Sequence, residues 1–255
     1  MGAPGPPGAV MTLALVLAGG GVAGIAWETG FLLGIQDVAP MLASRLVGAD
    51  MLLGTSAGAT VAAQIGSGAP LEDLFMRQVS QTTDEIAPDV DIDELMVLFE
   101  DAAADSGVSV TERRRRFGQL ALSAATVAPE VRRAVIDKRL PAREWPDRPL
   151  KITAIDVESG ERTTFDRSSG AGLVDAVAAS CAVPAVWPPV TIGHRQFMDG
   201  AVGIFADDAS IAAFGRNPLH PDSRAPSAIA GRQQGRRTAV DLAGLLDAPS
   251  WRVAL

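Results

Sequence analysis

One cysteine, Cys181, stands in a chain of 255 residues, which rules out an intramolecular disulfide framework and any cysteine-rich zinc site. That usage agrees with a reducing compartment, and Cys181 itself reads as a small buried residue. Histidine is nearly as scarce: only His194 and His220 could serve a conventional serine triad. Basic charge is short as well. Lys and Arg total 22 against 30 Asp and Glu, a net charge of −8 with neutral His. The chain therefore lacks the broad positive face that a phosphate backbone demands, and nucleic acid is not an expected partner. Charge of either sign is missing from residues 2–27, which raises a signal peptide or a membrane span. Neither fits. There is no basic n-region, the opening Gly2-Ala3-Pro4-Gly5-Pro6-Pro7 favours turns, and Gly19, Gly20, Gly21 and Gly24 interrupt any continuous span. The expectation is a cytoplasmic protein with a flexible N-terminus over residues 1–11. Peripheral contact with a membrane stays open, because it needs neither a span nor a signal.

What is present is an α/β pattern. The apolar run Thr12–Ala18, ended by glycines, predicts a strand buried on both faces, followed by a helix over Val22–Val38. A second apolar run, Asp50–Leu53, stops at Gly54 and gives way to a small-residue helix over Ala59–Ile65. Asp91–Ala104, Thr111–Ala125 and Pro129–Leu140 read as three amphipathic helices without strands between them, placed to cap the core. Strands are expected at Leu150–Val157 and Arg162–Phe165 around the Glu158-Ser159-Gly160 turn, a helix at Gly172–Cys181, and a strand pair at Val190–Ile192 and Gln196–Met198. Beyond Asp207 come short helical pieces and a Pro-rich loop from Asn217 to Pro226. No repeat or linker divides the chain, so it reads as one domain over residues 12–203 with an irregular or helical tail over 204–255.

The chemistry clusters at glycines. Gly54-Thr55-Ser56-Ala57-Gly58 matches G-x-S-x-G between an apolar strand and a small-residue helix, the setting in which a serine sits on a sharp turn with its Oγ exposed. Alone, the pattern is more often an ordinary Gly-rich turn with a capping serine. Gly19-Gly20-Gly21-Val22-Ala23-Gly24 adds backbone N–H groups free to face one anion, as the oxyanion of acyl transfer requires. The rival reading of G-x-G-x-x-G is a dinucleotide fingerprint, but that site wants an acid closing the second strand, and this strand ends in Gly54-Thr55-Ser56. For the base, the order Ser56, Asp199, His220 permits a Ser-His-Asp esterase of the α/β-hydrolase type. Against it, the nucleophile comes after a single earlier strand, and His220 lies in a Pro-flanked loop, where a solvated ring is the ordinary outcome. Asp156, Asp166 and Asp175 are further acids that could serve. The run Arg113-Arg114-Arg115-Arg116 reads as a solvated helix face, with contact to anionic lipid head groups as its functional alternative.

Taken together, Gly19–Gly24, Gly54–Gly58 and Asp199-Gly200-Ala201, with Ala179-Ser180-Cys181-Ala182-Val183-Pro184 leading to Pro188-Pro189-Val190, resemble the patatin-like phospholipases over about residues 12–203. The resemblance implies a three-layer α/β/α fold with a central, mostly parallel sheet. It implies a lipid acyl-ester hydrolase with no metal and no cofactor, using Ser56 as nucleophile and Asp199 as general base without histidine. Gly19, Gly20, Gly21 and Gly24 would frame the oxyanion hole, the N–H groups of Gly20 and Gly21 foremost. Gly54, Thr55, Ala57, Gly58, Gly200 and Ala201 would support the motifs. Two departures stand out. Ala23 occupies a place where many members carry a basic residue, and the chain passes within a few residues of Gly203 to Asp207-Asp208-Ala209-Ser210, as if truncated after the Asp-Gly motif. The expected consequences are an exposed sheet edge or apolar patch and poor packing beyond Asp207, and the non-enzymatic alternative is an impaired remnant that binds lipid.

Overall fold

The apolar runs that end in glycine become two neighbouring strands of a six-stranded sheet in the computed structural model, which describes residues 13–103, 107–200, 212–215 and 217–247. Strands β1 (Ala14–Leu17), β2 (Met51–Thr55) and β3 (Leu150–Asp156) pair in parallel. β4 (Arg162–Phe165), β5 (Val190–Ile192) and β6 (Arg195–Asp199) add antiparallel pairings, β4 and β6 to β3, and β5 to β6. Four strands, β1, β2, β3 and β5, thus point one way.

β3 has three partners and only two edges. β4 pairs with residues 152–155 of β3, overlapping the stretches used by β2 (150–153) and by β6 (154–156). β4 must therefore hold one edge while β2 and β6 share the other. Because β2 runs parallel to β3 and β6 antiparallel, the two meet end to end, with their last residues Thr55 and Asp199 opposite the consecutive residues Thr153 and Ala154.

Alternation along β3 separates two faces. Ile152 and Ala154 join the main core with helices α3 (Ala57–Gly66) and α8 (Leu173–Ser180). Ile155 and Val157 meet Phe117 and Ala121 of α6 (Val110–Ser123) across the sheet. With α1 (Gly21–Val38) beside α3, these are the three layers expected. α5 (Ile92–Ala103) packs on α6, and α7 (Pro129–Arg139) on α8. Ser109 starts α6 by accepting a hydrogen bond from Glu112 N–H at 3.1 Å. Two helices not anticipated from the sequence, α2 (Pro40–Val47) and α4 (Leu71–Val79), pack against α1.

The largest correction concerns the tail. Residues Arg224–Asp247 form one helix, α9, which lies along α1 instead of packing poorly. Pro226 falls in its first turn, where a missing N–H costs nothing, so the loop ends earlier than expected. The seam is built of small residues: a Cβ added to Gly30 or Gly34 would lie 2.0 Å from the carbonyl oxygen of Ala228 or Arg232. Gly231 and Gly235 face Trp27 and Phe31 as closely. Asp37 then accepts from Arg232 and Arg236 at 2.7 Å, and Trp27 Nε1 donates to Gln234 at 3.1 Å. β1, expected to be buried on both faces, is covered on one only: it pairs solely with β2 among the described residues, and Val16 is 63% exposed on the sheet face opposite α3. The N-terminus over 1–11 and the segment 201–211, with Ala201 and the proposed truncation point, lie outside the described residues.

Candidate active site

Ser56 occupies the single-residue turn between β2 and α3 at φ 55° and ψ −118°, a region that costs a non-glycine residue energy and persists only when its surroundings enforce it. The enforcement is visible. Ser56 N–H donates to Ser180 Oγ at 2.8 Å, and the Ser180 hydroxyl donates to Thr153 O at 2.7 Å. Cys181, buried as expected, donates from Sγ to Ser56 O at 3.2 Å. Burial pushes its thiol pKa up. The flanking glycines serve close packing: a Cβ on Gly54 would lie 2.5 Å from Ala59 Cα, and one on Gly58 would lie 2.2 Å from Leu17 C. They bring α3 against β1 and β2, a different reason from the substrate access that the motif suggested.

The head-to-head meeting of β2 and β6 puts Asp199 beside this turn. Ser56 Oγ donates to Asp199 Oδ2 at 2.6 Å, although 143 positions separate the two residues. Asp199 N–H is held by Ala182 O at 2.9 Å, and Gly200 passes close to Thr153, where a Cβ would lie 3.2 Å from its carbonyl oxygen. Thr55 and Thr153 hydroxyls bond at 2.6 Å across the strand ends.

The glycine loop abuts the same turn. Ala18 O accepts from Gly58 N–H at 2.7 Å, and Ala18 N–H donates to Glu28 Oε1 at 3.0 Å, so the end of β1 is tied both to α3 and to the interior of α1. Glu28 is a buried acid at the centre of an apolar helix, and burial holds its carboxyl pKa well above the usual range. Gly20 caps α1, and Gly21 at φ 64° begins it. Gly24 N–H is taken by Gly20 O at 2.8 Å, which removes Gly24 as a donor to the cleft.

Gly20, Gly21, Ser56 and Asp199 form the polar floor of a cavity of about 490 Å³. Its walls come from Leu95 and Phe99 of α5, Phe117 of α6, Met198, and Leu219, which lies over Gly21. A family model for patatin-like phospholipases matches residues 15–209. The chain belongs to the patatin-like phospholipase family. No curated protein sequence matches it. Among solved structures the chain is similar to VipD from Legionella pneumophila, with 12% identity and a TM-score of 0.48 over 91% of this chain and 67% of that one. It is also similar to the type III effector protein ExoU, with 18% identity and a TM-score of 0.42 over 90% and 53%. The chain thus spans about half the length of ExoU.

The remaining acids and histidines of this patatin-family chain lie elsewhere. Asp156 accepts from Ser159 and from Arg195 at 2.7 Å, Asp166 from Ser168 and Lys151, and Asp175 from Arg133. His220 Nδ1 accepts from Asp222 N–H at 3.3 Å, and its ring is half-exposed. His194 sits exposed in the β5–β6 turn. Neither histidine lines the cavity. The arginine run is divided: Arg114 reaches the cavity, while Arg115 turns to Ser159 O and Glu112. Sequence reasoning missed Ser180, Glu28 and Leu219 as parts of the site. A lone acid in an apolar helix was a usable signal for Glu28. Gly19 lines none of this cavity, and no described helix is long and apolar enough to cross a membrane.

Proposed function

We propose that this chain hydrolyses carboxylic esters of lipids, glycerophospholipids or related acyl lipids, through an acyl-enzyme on Ser56 with Asp199 as the base. The observation that carries the reading is the 2.6 Å hydrogen bond from Ser56 Oγ to Asp199 Oδ2 at the floor of an apolar cavity. Membership of the patatin-like phospholipase family supports the substrate class. Asp199 takes the hydroxyl proton as Oγ bonds to the ester carbon, and the carbonyl electrons move onto oxygen beside Gly20 and Gly21. Collapse expels the alcohol with the proton from Asp199, and water repeats the sequence on the acyl-enzyme. The apolar walls bury an acyl chain, which suits a lipid better than a polar ester.

The test uses short-chain nitrophenyl esters and phospholipid vesicles. Ser56→Ala is expected to abolish hydrolysis with an unchanged circular dichroism spectrum. Asp199→Asn should lose at least about 10³-fold in kcat, whereas His194→Ala and His220→Ala keep most activity. Equal rates for Ser56→Ala and the unaltered chain would overturn the reading, and a His220→Ala as inactive as Ser56→Ala would establish a triad instead.

A further inference from the structure

Beside the acyl cavity lies a second chamber of about 20 Å³, bounded by Gly21, Ser56, Ala57, Arg132, Arg139 and Cys181. That volume holds one water or one oxygen atom, too little for a phosphate group or an acyl chain. Ala57 begins α3, so its N–H is one of the helix-terminal donors, and neither it nor Gly21 N–H meets a backbone acceptor among the described residues. The helix end alone would decide nothing. Arg132 supplies the independent observation: it is 6% exposed, and its Nε and Nη1 are buried without any hydrogen-bond partner.

Its surroundings leave that demand open. Arg139, next to it, is matched by Glu85 in a two-point ion pair at 2.6 Å. Arg132 instead stacks over Trp187, its Cζ 3.9 Å from the ring centroid. Burial and the Arg139 charge lower its pKa to about 9, so the guanidinium is still charged at neutral pH. Leaving buried donors unsatisfied destabilises a protein, and more so when the group is charged. A buried cation at a one-oxygen chamber beside a nucleophile is explained when a negative oxygen occupies that chamber.

We propose that Arg132 is a catalytic residue whose guanidinium, with the N–H groups of Gly21 and Ala57, stabilises the tetrahedral oxyanion formed on Ser56. The inference rests on Ser56 being the nucleophile. The charge accounting is consistent. Before attack the site pairs cationic Arg132 with anionic Asp199; after attack Asp199 is protonated and the negative charge sits on the substrate oxygen. Arg132 remains the counter-charge throughout, so no charge is created or lost in a desolvated pocket.

The experiment compares Arg132→Met and Arg132→Gln with the unaltered chain, using nitrophenyl esters and two inhibitors of equal length. A long-chain trifluoromethyl ketone forms an anionic adduct with a nucleophilic serine; the corresponding trifluoromethyl carbinol does not. Both variants are expected to lose about 10²-fold or more in kcat with KM within threefold. Ketone affinity should fall by a similar factor while carbinol affinity holds. Ketone and carbinol affinities falling together would assign Arg132 to packing and overturn the proposal, as would an unchanged kcat. Should Arg132→Met fail to fold, Arg132→Gln, which keeps a polar donor without the charge, carries the same comparison. Ser56→Ala separates the two readings. Activity surviving in Ser56→Ala removes the nucleophile assignment, whereas an inactive Ser56→Ala with a fully active Arg132→Gln removes only the role of Arg132.

Discussion

Replacing Gly34 by alanine tests the contact that joins the end of the chain to the helix carrying the glycine loop. Two opposing terms can be set against each other. In isolation, alanine stabilises a helix interior by about 1 kcal/mol relative to glycine. Here the new Cβ would lie 2.0 Å from Arg232 O, where contacts under 3.0 Å are essentially never seen, so α1 and α9 must separate by at least 1.0 Å (3.0 − 2.0). The obstructing atom is backbone within a helix and cannot rotate away. Overpacking of this kind costs about 1–3 kcal/mol, and a backbone clash belongs at or above the upper end. The net expectation is a loss of about 2 kcal/mol, which lowers Tm by about 4–8 °C for a chain of this size. Gly30 meets Ala228 O at the same 2.0 Å one turn away. One displacement relieves both, so Gly30→Ala with Gly34→Ala should cost less than the sum of the single changes. Thermal melts followed by circular dichroism supply the measurement. A Gly34→Ala variant as stable as the unaltered chain, or more so, would refute the close seam, because propensity alone would then be deciding the outcome.

Glu28→Gln should raise stability at neutral pH, and the gain should widen as pH climbs from 5 to 8. Burial raises this carboxyl's pKa in the native state, so above the ordinary 4.5 the unfolded chain gives up its proton more readily than the native one, and rising pH disfavours the native form of the unaltered chain alone. Melting curves across that range that run parallel for the two proteins would contradict the assignment. Ser180→Ala removes the acceptor of Ser56 N–H and the donor to Thr153 O, both buried. It is expected to cost about 1–3 kcal/mol of stability and to lower kcat roughly tenfold with little change in KM, since the strained turn loses its restraint; an unaltered kcat would mean that strand and helix hold Ser56 unaided.

Local pattern determined much of this protein. Each apolar run closed by glycines became a parallel strand, and Gly54–Gly58 became the turn between β2 and α3, because both signals depend only on neighbours in the chain. The pairing of Ser56 with Asp199 was legible as a resemblance among motifs, but its cause was not. Only the sheet makes β2 and β6 share one edge of β3 and stop at adjacent residues. Helix α9 was unreadable for a related reason. Its seam with α1 is made of glycine and alanine, residues that read as breakers or carry no apolar stripe until a second helix is close enough to use the space they leave. Gly24 looked like one more loop donor, yet the first turn of α1 takes its N–H. The burial of Arg132 was invisible because a charge on a helix looks solvated in sequence, whereas Glu28 at least stood out as a lone acid in an apolar helix. What makes these two matter is burial, which tertiary packing alone decides.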